Sequence, residues 1–63
     1  METVPTVSFQ LAGDELTILG ELLESERSRL LVEIRHTDHR TYRDELRHRL
    51  EVVEHLLVVA TPH

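Results

Sequence analysis

The sequence predicts an all-α fold, an antiparallel two-helix hairpin, on three observations. Leu16, Leu19, Leu23, Leu30 and Ile34 recur at steps of three and four residues or their sums, which sets them on one face of a helix. Leu46, Leu50, Val53, Leu57 and Ala60 repeat the pattern further along. Between the two stripes, the interval 33–46 is mostly polar and breaks the phase. Continued at its own period, the first stripe would run through Thr37, Thr41, Asp44, His48 and Glu51. One straight rod therefore cannot bury both stripes against one partner, and the chain is expected to bend in this interval. A dimer of continuous helices is the alternative architecture.

Sixty-three residues make a single domain, 1–63, and a chain this short buries a smaller share of its surface than a typical domain. Small folds compensate with disulfides, bound metal or self-association, and this chain has no cysteine. Self-association is the route left open. Two helices of about 22 residues, each about 33 Å long at 1.5 Å per residue, leave apolar surface on a lone hairpin. Two hairpins together make a four-helix bundle. The expected partner is therefore the chain itself, as a dimer first and a tetramer second, with another helical protein as a further option.

Taken in order, residues 1–12 read as an extended or partly disordered arm, with Pro5 favouring extended backbone. Within it, residues 7–11 (Val-Ser-Phe-Gln-Leu) alternate apolar and polar, the period of a strand with one buried face. With no second strand in the chain, this segment either pairs with its copy or lies extended over the helices with Phe9 as a plug. Ala12, Gly13, Asp14 and Glu15 mark the start of the first helix, whose acidic first turn suits the positive end of the helix dipole. This helix is expected over about 14–36, with Gly20 either a tolerated weak point or a place of close approach by another helix. The second helix is expected over about 39–60, capped by Thr37 or Asp38, or by Thr41 with Asp44. Its end is unusually apolar. Val52, Val53, Leu56, Leu57, Val58 and Val59 cover more of the circumference than one partner helix can bury. Leu19, Leu23, Leu30, Leu46, Leu50, Val53 and Leu57 are assigned to the hairpin core, and Val52, Leu56 and Val59 to a subunit interface.

Two acids fall in or beside the first apolar stripe, Glu26 and Glu33, and acids there need partners. With the turn near residue 38, antiparallel pairing brings together residues whose numbers sum to roughly 76–78. That places Glu26 near Arg49 and Glu33 near Arg43. A buried ion pair between Glu26 and Arg49 at the core boundary is expected, selecting one arrangement more than it adds stability.

The net charge of −5, from 12 acids and 7 arginines with no lysine, does not suggest a general nucleic-acid binder. The charge is nevertheless uneven: residues 27–49 hold all seven arginines against four acids. The cluster from Arg35 to Arg49 makes nucleic-acid contact through the turn the second reading. Its arginines are interleaved with acids, however, and Tyr42 alone offers a stacking ring. Two Glu-x-x-His steps, Glu33 to His36 and Glu45 to His48, have the spacing of di-iron bundles, and His36 with His39 and Asp38 could clip a metal ion. His48 and His55 fall opposite the apolar stripe, and five histidines in a short acidic chain produce such spacings by chance, so no metal or other cofactor is assigned. No His-Glu-x-x-His, glycine-rich phosphate loop or cysteine nucleophile is present, and no catalytic residue is assigned. No apolar run approaches the ~20 residues of a spanning helix, and no leader-like segment opens the chain. The resulting expectation is a cytoplasmic, non-enzymatic oligomerisation or protein–protein interaction module.

The segment 30–50, with Leu30, Glu33, Ile34, Thr37, Asp38, Tyr42, Arg43 and Leu46, resembles a group of short bacterial proteins of unknown function. They share a Leu-x-x-Glu-Ile-x-x-Thr-Asp-x-x-x-Tyr/Phe-Arg-x-x-Leu pattern, preceded by a strand-like N-terminus and a helix start. The likeness extends weakly over residues 7–58. It implies a helical hairpin and brings no assigned activity.

Overall fold

A computed structural model describes residues 5–8 and 10–60. Two helices, α1 over Gly13–His36 and α2 over Arg40–Ala60, pack against each other across a three-residue turn. The bend at 37–39 replaces the continuous-helix alternative.

The ends of α1 follow from its sequence. Ala12, in extended conformation, occupies the N-cap position, and its carbonyl accepts the Leu16 N–H at 2.9 Å. An alanine has no side-chain acceptor, so only half of a capping box forms: the Glu15 carboxylate accepts the Ala12 N–H at 2.9 Å. Asp14 and Glu15 lie at the positive end of this helix, and Arg35 and His36 at its negative end. Thr37 then adopts extended backbone and stops the helix.

The start of α2 is built differently. The His39 carbonyl accepts the Arg43 N–H at 2.8 Å, which puts His39 at the N-cap and Arg40 at the first helical position. No acid occupies the first turn and no base the last. Arg43, part-buried, turns back toward α1 instead. Its Nη2 donates to the Thr37 carbonyl at 2.6 Å, satisfying an acceptor just past the C-terminus of α1, while its Nε is buried without a partner. Glu33 and Arg43 keep about the expected common level but do not meet, since Glu33 bonds Arg29 on its own helix.

The seam between the helices holds Leu30, which is fully buried, with Leu46 and Val53, and Leu23, Ile34, Leu50 and Leu57 pack against them. Ala60 is buried at the open end. Leu19 is half-buried but lies outside this cluster, beside the groove described next. No polar or charged residue is buried among those described.

The arm contains no strand among its described residues, so the strand reading of 7–11 is not realised there. Val7, Ser8 and Leu11 border a groove at the open end of the hairpin, together with Leu16, Leu19, Leu56, Val59 and Ala60. Phe9, the expected plug, lies outside the described residues.

Candidate functional site

The seam divides the hairpin into two faces, and they differ in chemistry. On one face, α1 presents a row at steps of three and four: Ile18, Leu22, Glu26, Arg29 and Glu33. The matching row of α2 is Tyr42, Glu45, Arg49, Val52, Leu56 and Val59. The two rows flank the seam on the same side. Arg29, Glu33, Tyr42, Glu45 and Arg49 border one groove near the turn, and Leu19, Leu56 and Val59 border another near the open end.

The open-end half of this face is apolar and exposed. Ile18, Leu22, Val52, Leu56 and Val59 range from 43% exposed at Leu56 to 69% at Val59. Single exposed apolar side chains are ordinary on a protein surface, whereas a contiguous group drawn from two helices marks an interaction site. Ile18 also borders an apolar pocket with Leu11, Leu19 and Leu22.

The turn half is charged and organised around Glu26. Its carboxylate accepts from Arg49 Nε at 2.6 Å across the seam, and from Arg29 Nε at 2.9 Å and Nη2 at 2.7 and 2.8 Å along its own helix. Arg29 bonds Glu33 with its remaining nitrogen. The hydrogen bonds from Arg49 and then Arg29 hold the Glu26 carboxyl below its ordinary pKa, against a smaller opposing effect of desolvation. The same contact with Glu26 raises the Arg29 guanidinium.

The expected burial of the Glu26–Arg49 pair needs correction. The Arg49 side chain is 63% exposed and that of Glu26 is 21% exposed, so the pair bridges the edge of the seam in contact with solvent. Leucines and valine fill the seam at this level, and Glu26 and Arg49 both sit on its flank. Glu45, one turn before Arg49 on α2, makes no ion pair with it among the described residues, because Arg49 is turned toward Glu26.

The opposite face is more polar. Arg27 Nε meets Glu54 Oε2 at 3.2 Å there, and Gly13, Thr17, Gly20, Glu21 and Glu24 border a shallow groove with Leu57 and Ala60. A Cβ built on Gly20 meets nothing within 4 Å, so Gly20 does not serve a close approach of α2.

The residues of the other sequence-level candidates are dispersed or engaged. No group of three His, Asp or Glu side chains is placed to hold a metal ion among the described residues. Arg27, Arg29 and Arg49 are held by carboxylates and Arg43 by a carbonyl, while Arg35, Arg40 and Arg47 are exposed with no ion pair among the described residues. No helix of the described residues is long and apolar enough to cross a membrane.

Two members of the exposed face, Ile18 and Leu22, are missing from the sequence reading. The signal was a second apolar pair, Ile18 and Leu22, running beside Leu19 and Leu23 one position out of phase. It widens the stripe toward one flank, as Val52, Leu56 and Val59 widen that of α2. No family model, curated protein or solved structure matches the chain.

Proposed function

We propose that this chain is a non-enzymatic assembly module that binds copies of itself through the face bearing Ile18, Leu22, Val52, Leu56 and Val59, forming a four-helix bundle with the dimer as its basic unit. The observation that carries this reading is the gathering of exposed apolar side chains from both helices onto the open-end half of one face. The total surface supports it. The chain exposes 5721 Å², whereas a compact monomer of its mass exposes roughly 4,200 Å². The excess exceeds the ~800 Å² per partner that a standard interface covers.

The test is solution mass by light scattering over a wide concentration range, with helicity followed by circular dichroism. The wild-type chain is expected at about twice 7.4 kDa. Leu22→Glu combined with Leu56→Glu is expected to give a monomer that keeps its helices at high concentration, because both positions are exposed in the hairpin. A wild-type chain that stays monomeric at hundreds of micromolar would overturn self-assembly and assign the face to a different protein.

A further inference from the structure

Resting on the self-assembly reading, we infer that the two hairpins of the dimer meet with their turns at the same end, about a two-fold axis parallel to the helices. In this arrangement α1 of one copy lies against α2 of the other, and every neighbouring pair of helices in the bundle is antiparallel.

The first argument is the division of the face along its length. Its open-end half is apolar and its turn half carries Glu26, Arg29, Glu33, Glu45 and Arg49. Turns at the same end bring apolar half to apolar half. Turns at opposite ends, at full overlap, press Ile18 and Leu22 onto Arg29 and Glu33, stripping water from this ion pair without adding a new charged partner, which is unfavourable.

The second argument is the order of charges. The Glu26–Arg49 contact across the seam fixes which residues share a level. Read from the open end toward the turn, the row on α1 is Ile18, Leu22, Glu26, Arg29, Glu33. The row on α2 at the same levels is Leu56, Val52, then Arg49, Glu45, Tyr42, with Val59 one turn further toward the open end. The two-fold rotation lays one row on the other. Ile18 then faces Leu56, Leu22 faces Val52, Glu26 faces Arg49, Arg29 faces Glu45, and Glu33 faces the Tyr42 hydroxyl. Every charge meets an opposite charge or a hydrogen-bond donor, and each contact occurs twice by symmetry. Within the hairpin, Glu45 and Tyr42 make no side-chain hydrogen bond or ion pair, so both are available to a second copy.

The third argument is size. A face about 36 Å long and two helices, about 20 Å, wide offers roughly 700 Å². That is close to the ~800 Å² each partner contributes to a standard interface. Only full overlap reaches this area. An opposite-end dimer that avoided the charge mismatch would have to overlap by its apolar halves alone, at about half of it.

The experiment is a turn-to-turn distance. The chain has no cysteine, so Asp38→Cys, or separately His39→Cys, gives a single attachment point for a nitroxide at an exposed turn position. Pulsed dipolar spectroscopy on the labelled dimer is expected to give a distance below about 25 Å, the sum of one helix spacing and two label arms. Opposite-end packing gives about 35 Å or more, one helix length. In parallel, Glu45→Arg is expected to raise the dimer dissociation constant at least about tenfold, by setting an arginine against Arg29. Glu51→Arg, with the same change of charge away from this face, serves as the control. A dimer with the long distance, or equal effects of Glu45→Arg and Glu51→Arg, overturns the arrangement and leaves self-assembly standing. A monomeric wild-type chain overturns both.

Discussion

Leu30 and Leu22 lie eight residues apart on α1, and the structure gives them opposite roles. Leu30 is fully buried between Leu46 and Val53, whereas Leu22 is 62% exposed. Leu30→Ala removes three methylene-sized groups from a dry seam, worth about 2.4 kcal/mol at about 0.8 kcal/mol each. A residual cavity of about 50 Å³ adds about 1.2 kcal/mol, for a total near 3.5 kcal/mol per chain. A chain of this length is held together by about 3–9 kcal/mol, so the substitution removes a large part of the stability. Leu22→Ala is expected to change the hairpin itself by no more than about 0.5 kcal/mol. Its effect belongs to assembly and grows with protein concentration in the range where wild-type chains associate. The assay is urea unfolding followed by circular dichroism at several protein concentrations, with wild-type and both variants side by side. The reasoning is refuted if Leu30→Ala costs less than about 1 kcal/mol, or if the two variants shift the midpoint equally at every concentration.

Three further outcomes are expected. The depressed pKa of Glu26 means that its ionised form stabilises the folded state fully above the unfolded-state value of about 4.3 and that this contribution is lost as pH falls through the lower folded-state value. The acid limb of a stability-against-pH curve should therefore be shallower in Glu26→Gln, and an NMR titration should place the Glu26 carboxyl below the ordinary glutamate value. Arg43→Ala frees the Thr37 carbonyl of its 2.6 Å donor and should destabilise the hairpin by about 1 kcal/mol, with faster amide exchange around the turn; unchanged exchange there would show that the contact does not hold it. Gly20→Ala finds open space and should raise stability by about 0.5–1 kcal/mol through helix propensity. A loss of stability or of dimer affinity would instead mean that another chain approaches α1 closely at Gly20.

Periodicity made the hairpin legible because the apolar stripes are strong and the interval between them is mostly polar. The expected helices, about 14–36 and 39–60, differ from the observed ones by one residue at each start. At the second, His39 takes the N-cap position, and no Thr or Asp side chain of the turn makes a capping hydrogen bond among the described residues. The level of Glu26 with Arg49 was readable from turn position alone, but the exposure of that pair was not. A wheel places a residue in angle and says nothing of how deep the seam reaches, and in a two-helix layer the seam is only one side chain deep. Ile18 and Leu22 escaped for a related reason. Beside a strong stripe, a second apolar pair reads as more core until the partner helix is seen to leave it uncovered.

The unequal ends of the two helices bear on the order in which the chain takes shape. α1 has acids at its start and an arginine at its end, which suit the helix dipole before any partner is present. α2 opens on arginines with no acid in its first turn and ends without charge, and its first turn reaches back to α1 for a partner. During synthesis the self-supporting helix emerges first and offers Leu23, Leu30 and Ile34 as a template on which the dependent one condenses. Val53 and Leu57, made after α1, therefore have a surface waiting for them.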